Sequence, residues 1–210
     1  MRCLIFSDIH GNLPAFENVL KKEIGIDIYL NIGDVVNYGP WSNECVELIE
    51  TLNCLNILGN HEEYFITGKC DVENEIVQTF FYETYSNFKK IEIIKNYKRE
   101  IIFKDFILTH NLLEKGNIYV DTPISLTNNT IIGHSHQQYL RNINNHILVN
   151  PGSLGQNRQN IDFSNYIIWD VEKKKFHLKK IFFDPNIIIN ELKSRKFPKI
   201  CIDYYKNKIT

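Results

Sequence analysis

Five short clusters carry side chains able to bind a cation or move a proton, and each ends an apolar run. They are Ser7-Asp8-Ile9-His10-Gly11-Asn12, Asn31-Ile32-Gly33-Asp34, Leu58-Gly59-Asn60-His61-Glu62, Leu108-Thr109-His110 and Ile131-Ile132-Gly133-His134-Ser135-His136. Five of the seven histidines fall in these clusters, which leaves His146 and His177 as structural or surface residues. Carboxylate, amide oxygen and imidazole without a thiolate suit borderline divalent ions such as manganese, iron or zinc. One Asp, one His and a third ligand hold one ion; the further histidines and an Asn imply two. A carboxylate shared by both would keep them about 3.5–4 Å apart, the separation that clamps the attacking and leaving oxygens of phosphoryl transfer. Gly11, Gly33, Gly59 and Gly133 permit sharp turns and close approach of backbone to an anion. Singly, each cluster is an ordinary turn or cap. Their joint occurrence is the signal.

An open α/β sheet would bring such clusters together, because its ligands bind in the crevice beyond the carboxyl ends of the strands. Cys3–Ser7 is a buried-strand pattern. Leu13, Phe16, Val19 and Leu20 recur at helical spacing and predict a helix over Leu13–Ile24, with Pro14 tolerated in its first turn. Strands at Ile26–Ile32 and Asn53–Leu58 flank a helix over Trp41–Leu52. This β-α-β-α-β opening calls for a mostly parallel sheet covered by helices. From Asp71 to Tyr97 the pattern is helical and aromatic; core packing accounts for it most simply, with a helical cap over the site or a dimer face as the other readings. Strands then crowd together at Arg99–Phe103, Phe106–Thr109, Thr130–Ile132, Ile147–Val149, Tyr166–Val171 and Phe176–Phe182. Their short turns predict hairpins and a largely antiparallel second half. The chain from Asn186 reads as a helix and a loose tail. The expected fold is α/β, a two-sheet mixed β-sandwich flanked by helices, with residues 1–210 forming one domain.

Composition narrows the function. The 210 residues are 43% hydrophobic and 23% charged, which excludes disorder, collagen and coiled coil. A formal net charge of -1 gives no electrostatic footprint for duplex nucleic acid or an anionic membrane surface. No apolar run approaches the ~20 residues of a membrane span. The N-terminus enters a strand-like run without a cleavage site, and Cys3, Cys45, Cys54, Cys70 and Cys201 are odd in number and include no C-x-x-C pair. Reduced thiols in a cytoplasmic protein are expected.

The order D-x-H, G-D, G-N-H-[DE], H, G-H-x-H across residues 8 to 136 resembles the signature of the calcineurin-like metallophosphoesterase superfamily. The stretches 7–15, 33–40 and 150–158 look like its small bacterial and archaeal phosphodiesterase branch. The resemblance implies that Asp8, His10 and His136 hold one metal, that Asn60, His110 and His134 hold the other, and that Asp34 bridges them. Manganese is the first expectation, with iron, zinc or nickel as others. It implies attack on phosphorus by a hydroxide bridging the two ions. His61 would stand beside the substrate, stabilising the transition state or protonating the leaving oxygen. Arg158, after a Pro-Gly-Ser turn, is a candidate for pairing with a phosphate oxygen. Asn12, Asn37 and Tyr38 are candidates for the rim of the site, Tyr38 as a ring on which a base would stack. The loop after His110 runs Asn111-Leu112-Leu113 where relatives have Gly and a longer substrate loop.

The expected activity is hydrolysis of phosphate diesters or monoesters, on a phosphate ester or nucleotide small molecule. A dinucleoside polyphosphate of the diadenosine tetraphosphate type is an alternative substrate. A non-catalytic binding scaffold of the same fold is the alternative from another class, disfavoured because His61 and every expected ligand are present. A protein phosphatase fits poorly, since Gly33-Asp34-Val35-Val36 runs on to Asn37-Tyr38-Gly39 without the arginine of those enzymes. Homo-oligomerisation is left open by the sequence.

Overall fold

The computed structural model describes residues 1–113 and 116–209. Two five-stranded sheets face each other, with helices on the outside of the first. The opening alternates as its periodicity predicts: β1 (Arg2–Phe6), α1 (Leu13–Lys22), β2 (Ile28–Asn31), α2 (Ser42–Glu50), β3 (Cys54–Asn56). Three helices follow, α3 (Asn60–Thr67), α4 (Glu75–Tyr85) and α5 (Ile91–Ile94). The strands β4 (Glu100–Phe103), β5 (Phe106–Thr109), β6 (Asn129–Ile131), β7 (Gln138–Ile143) and β8 (His146–Pro151) build the second sheet. β9 (Phe163–Asp170) and β10 (Lys175–Phe182) return to the first, and α6 (Asn186–Ser194) and α7 (Lys199–Lys206) end the fold. The first sheet runs β10-β9-β1-β2-β3 and the second β4-β5-β6-β8-β7.

The strand period of two sorts the core. In β1, Cys3 and Ile5 enter the layer between the sheets, with Leu30, Leu108, Ile131, Val149 and Trp169. Leu4 and Phe6 point the other way, beneath the helices, with Phe16, Val46, Phe65 and Phe81. A third cluster joins Phe80 of α4 to Ile188 and Leu192 of α6 and to Cys201 and Tyr205 of α7. Among the described residues no helix is long and apolar enough to cross a membrane.

The second half is largely antiparallel, as expected: β4–β5, β7–β8 and β9–β10 are antiparallel hairpins and β9 runs antiparallel to β1, while β5–β6 and β6–β8 are parallel. Short turns announce β4–β5 and β9–β10, whereas the parallel pairs depend on crossovers that carry no local signal. The C-terminal tail, by contrast, is not loose. Its last helix, α7, buries Cys201 and Tyr205 on Phe80 and the aromatic cluster of α4. Phe80 and Phe81 of α4 are fully buried, while Tyr82 between α4 and solvent is 63% exposed.

The loops leaving β1, β2 and β3 are fixed to one another before any side-chain chemistry is considered. Asp8, His10 and Gly11 donate their backbone N–H groups to the carbonyls of Gly33, Asp34 and Val35 at 2.9, 3.0 and 2.7 Å. Glu62, in the first turn of α3, fastens the next pair of loops. Its Oε2 accepts from the N–H of Asp34 (2.8 Å) and Gly59 (2.9 Å), and its Oε1 from Val35 (2.7 Å) and Val36 (3.2 Å). The bond to Gly59 is half of a capping box whose N-cap has no hydroxyl. Gly59 must lack a side chain here, since a Cβ would run into Asp34 Oδ1 and lie 2.8 Å from Glu62 Oε2. Glu62→Gln keeps the shape but turns an NH₂ toward at least one backbone donor. Urea unfolding is expected to show a loss of about 1–3 kcal/mol, the cost of an unsatisfied buried polar group. Glu63→Gln, which removes only an exposed pair with Arg99, is expected to cost under about 1 kcal/mol.

Candidate metal and phosphoester site

The five clusters do converge. Asp8 and His10 follow β1, Asp34 follows β2, Asn60 and His61 open α3, His110 follows β5, and His134 and His136 follow β6. Their ligand atoms form three overlapping groups: Asp8, His10 and His136; His10, Asp34 and His61; and Asp34, His110 and His134. Within each group every atom lies within 4.8 Å of the others. Asp34 Oδ2 is 3.1 Å from His110 Nε2, 3.9 Å from His10 Nε2 and 4.0 Å from His61 Nε2. Asp8 Oδ1 is 3.1 Å from His136 Nε2, which in turn is 3.3 Å from His10 Nε2.

The backbone is bent to aim these side chains. Asp8, His10, Asp34, His134 and His136 all have positive φ, between 49° and 64°. Left-handed backbone is uncommon for residues other than glycine and persists where the surroundings over-determine it. The same region holds Asn37 (74°) and Tyr38 (60°). Most of the other examples, such as Asn144 and Asn145 between β7 and β8, sit in hairpin turns or at helix ends.

Ring orientation divides the histidines into two kinds. His10 Nδ1 faces the carbonyl of Val36 (3.2 Å), His110 Nδ1 that of Ile32 (2.7 Å), and His136 Nδ1 that of Gln156. A carbonyl only accepts, so each Nδ1 carries the proton and each Nε2 turns a lone pair into the cluster, the arrangement of a metal-ligating imidazole. His61 is the reverse. Its Nδ1 lies 2.9 Å from Asn37 Nδ2. The Asn37 oxygen accepts from Tyr38 N (2.7 Å) and Thr84 Oγ1 (3.3 Å), which fixes the amide so that its NH₂ donates to the ring. The His61 proton therefore sits on Nε2, facing the cleft.

Charge and unmet polarity point to cations. Asp8 is fully buried and neither of its carboxylate oxygens has a hydrogen-bond partner among the described residues; Asn60 Oδ1 and His110 Nε2 share that condition. Burial works against the Asp8 and Asp34 carboxylates, but the imidazoles of His136 and His110 outweigh it and hold both well below the usual range. Burial also opposes charge on His110, yet with no cation between them Asp34 and Asp8 push it up to about 10, which puts a proton on Nε2 in the place an ion would take. Burial and then the charge of His110 bring His134 down to about 4. A buried set of oxygen and imidazole donors with unused lone pairs fits borderline divalent ions.

The cluster floors a cleft. A cavity of about 530 Å³ is lined by Asp34, Asn60, His61, His134 and His136. It shares Asn60, Tyr64, Val72 and His134 with a cavity of about 610 Å³ on one side. On the other side it shares His136 and Arg158 with one of about 410 Å³. Arg158 is exposed and donates to the His134 carbonyl (3.1 Å) and the Tyr119 hydroxyl (3.3 Å). Tyr38 faces both ways, its ring 4.9 Å from that of His10 and 5.0 Å from Phe80.

Two rim expectations fail on burial. Asn12 is fully buried; it caps α1 by accepting from Ala15 N (3.2 Å) and donates to the Gly155 carbonyl (2.8 Å). Asn37 is fully buried as well and serves His61 rather than a ligand. Sequence reasoning missed Tyr64, Gln156, Tyr204 and Lys208, all of which line the cleft. Tyr204 and Lys208 were beyond reach because nothing local tells α7 to fold back. Glu62 was visible in the quoted motif but carried no assigned task.

Comparison with known proteins agrees with this geometry. The model of the calcineurin-like phosphoesterase family matches residues 1–187. An uncharacterized protein of Methanocaldococcus jannaschii is 30% identical, with 93% of each chain covered. A metallophosphoesterase from Sphaerobacter thermophilus superposes with a TM-score of 0.80 at 22% identity, covering 100% of this chain and 99% of its own. A hypothetical protein from Pyrococcus horikoshii OT3 does so with 0.83 at 17% identity, covering 97% of each. Family match, sandwich topology and the convergence of all five clusters coincide over the same residues, and this chain belongs to the calcineurin-like phosphoesterases.

Proposed function

We propose that this phosphoesterase cleaves phosphate esters with two divalent ions, manganese first among them, and prefers diesters to monoesters. Asp8, His10 and His136 would hold one ion, Asn60, His110 and His134 the other, and Asp34 would serve both. The observation that carries the reading is the split in histidine tautomers: three rings turn lone pairs inward, and one turns a proton. When bound, the ions would supply an acidified water and positive charge against the developing anion.

The chain's own groups do the rest. His61 Nε2–H faces the cleft and donates a hydrogen bond to the oxygen on which negative charge develops, stabilising the transition state, while Asn37 keeps that proton off Nδ1. Burial, followed by the charges of nearby histidines set against Asp34, lowers the His61 pKa, so the ring stays neutral with its one N–H on Nε2. Arg158 presents its guanidinium to a phosphate oxygen. Cavities on both sides of the cluster give room to a substituent on each side of the phosphorus, which supports a diester. Tyr38, wedged between His10 and Phe80, closes the floor rather than offering a free face to a base.

Chelator-stripped protein is expected to recover turnover with manganese and to favour bis-p-nitrophenyl phosphate over p-nitrophenyl phosphate. Nickel, zinc and magnesium are the comparisons. A monoester preference would end the diester reading, and bound metal without any turnover would leave only the scaffold. His61→Ala is expected to lose roughly 10²–10³-fold in kcat while keeping both ions by elemental analysis; undiminished turnover would remove His61 from the reaction. Asp34→Asn is expected to lose both ions, and a normal metal content would deny that this carboxylate is shared.

A further inference from the structure

One wall of the cleft is made by Tyr204 of α7 and by Lys208 just after that helix. Tyr204 of α7 stands 5.7 Å from the ring of Tyr38, which itself is 4.9 Å from His10, so this wall lies one ring beyond the proposed metal centre. Lys208 Nζ donates to the Tyr204 hydroxyl at 2.6 Å and lies 4.0 Å from the ring centroid. The Gln156 amide donates to the same hydroxyl. With both lone pairs of that oxygen engaged, its own proton is left to donate. Arg158 borders the same cavity. The wall is therefore furnished with hydrogen-bond donors: a phenol, an ammonium and a guanidinium. Neither Lys208 nor Arg158 makes an ion pair with a carboxylate among the described residues, whereas Lys206, on the outer side of the same helix end, reaches Asp203 at 3.9 Å.

Two unneutralised cations that share one partly enclosed cavity repel each other. Burial and the charge of Arg158 bring the Lys208 ammonium down to about 8, the mark of a cation short of a counter-ion. The fold holds them there through Tyr204, whose ring is clasped by Phe80 and Tyr205. An anion in the cavity would relieve that repulsion and use the free donors.

We infer that Lys208 and Tyr204 form a subsite for a second phosphate group of the substrate, beyond the cleaved one that Arg158 faces. The inference rests on the phosphoesterase reading. The second phosphate can be joined to the first through phosphoanhydride links or across a sugar, and two pairs of diester-type substrates separate these sources. Diadenosine tetraphosphate against diadenosine diphosphate tests the anhydride route. The adenylyl dinucleotide with and without its 5′-phosphate tests the sugar route.

In the manganese-loaded protein one pair is expected to differ about tenfold in kcat/KM in favour of the member with the extra phosphate, as one charge-assisted hydrogen bond would give. Lys208→Met is expected to bring that ratio close to one, Lys208→Arg to keep most of it, and Lys206→Met to leave it alone. Ratios near one in the unmodified protein, or a ratio untouched by Lys208→Met, would overturn the subsite. Calorimetric binding of adenosine 3′,5′-bisphosphate and of adenosine 5′-triphosphate, each against adenosine 5′-monophosphate, in excess manganese, is a readout free of turnover. A preference for either lost in Lys208→Met without hydrolysis of any ester would sink the phosphoesterase reading and keep the subsite. Hydrolysis without any such preference would do the opposite. If Lys208→Met disturbs folding, the ratio in Lys208→Arg and Tyr204→Phe decides.

Discussion

One buried carboxylate organises the centre of this molecule. Glu62 gathers four backbone N–H groups from two loops, three from Asp34, Val35 and Val36 and one from Gly59. Burial and the adjacent Asp34 carboxylate push its pKa up to about 7, and the backbone donors pull the other way. Without those bonds the Gly33–Val36 loop would have three buried amide groups left to satisfy, and Gly59 a fourth. With them, Asp34 is held where His110, His10 and His61 all approach it, and its Oδ1 accepts the backbone N–H of His61 at 2.9 Å. The proposed chemistry depends on this arrangement, because it decides where Asp34 could serve two ions.

The same logic explains the unusual backbone. A ligand at the end of a strand would ordinarily continue outward along the strand axis. Left-handed φ at five of the seven proposed ligands folds each side chain back over the strand ends instead. Each such residue costs on the order of 1–3 kcal/mol, a cost offset by the hydrogen bonds that pin the loops. Ser153 contributes from the far side, its hydroxyl donating to the Asp8 carbonyl at 2.8 Å. Strain is concentrated where directionality matters.

Much of this was legible in the sequence because it is written locally. Apolar runs such as Cys3–Ser7 and the helical spacing of Leu13, Phe16 and Val19 state their own structure, and Asp, His and Gly at run ends state where chemistry is carried. The metal-ligand types needed no structure to be noticed. What stayed hidden depends on distance along the chain. The parallel neighbours β5, β6 and β8 have no turn to announce them. Asn12 and Asn37 sit in loops that read as exposed, yet tertiary packing buries both and gives them work inside the protein. β7 escaped notice because Gln138–Ile143 mixes polar and apolar residues on an edge. The return of α7 to the cleft is decided by Phe80, more than a hundred residues earlier.

The proposed ligands have a further property: they are drawn from both halves of the sandwich. Asp8, His10, Asp34 and Asn60 leave the first sheet, and His110, His134 and His136 leave the second. Each ion would thus take donors from both sheets and act as a crosslink between them. Ion binding and the cohesion of the two layers then become one thermodynamic quantity, since anything that binds only the folded form stabilises it by mass action. Resistance to heat in such a molecule is a function of ambient metal, and a shear of one sheet past the other would dismantle both ion positions in the same movement.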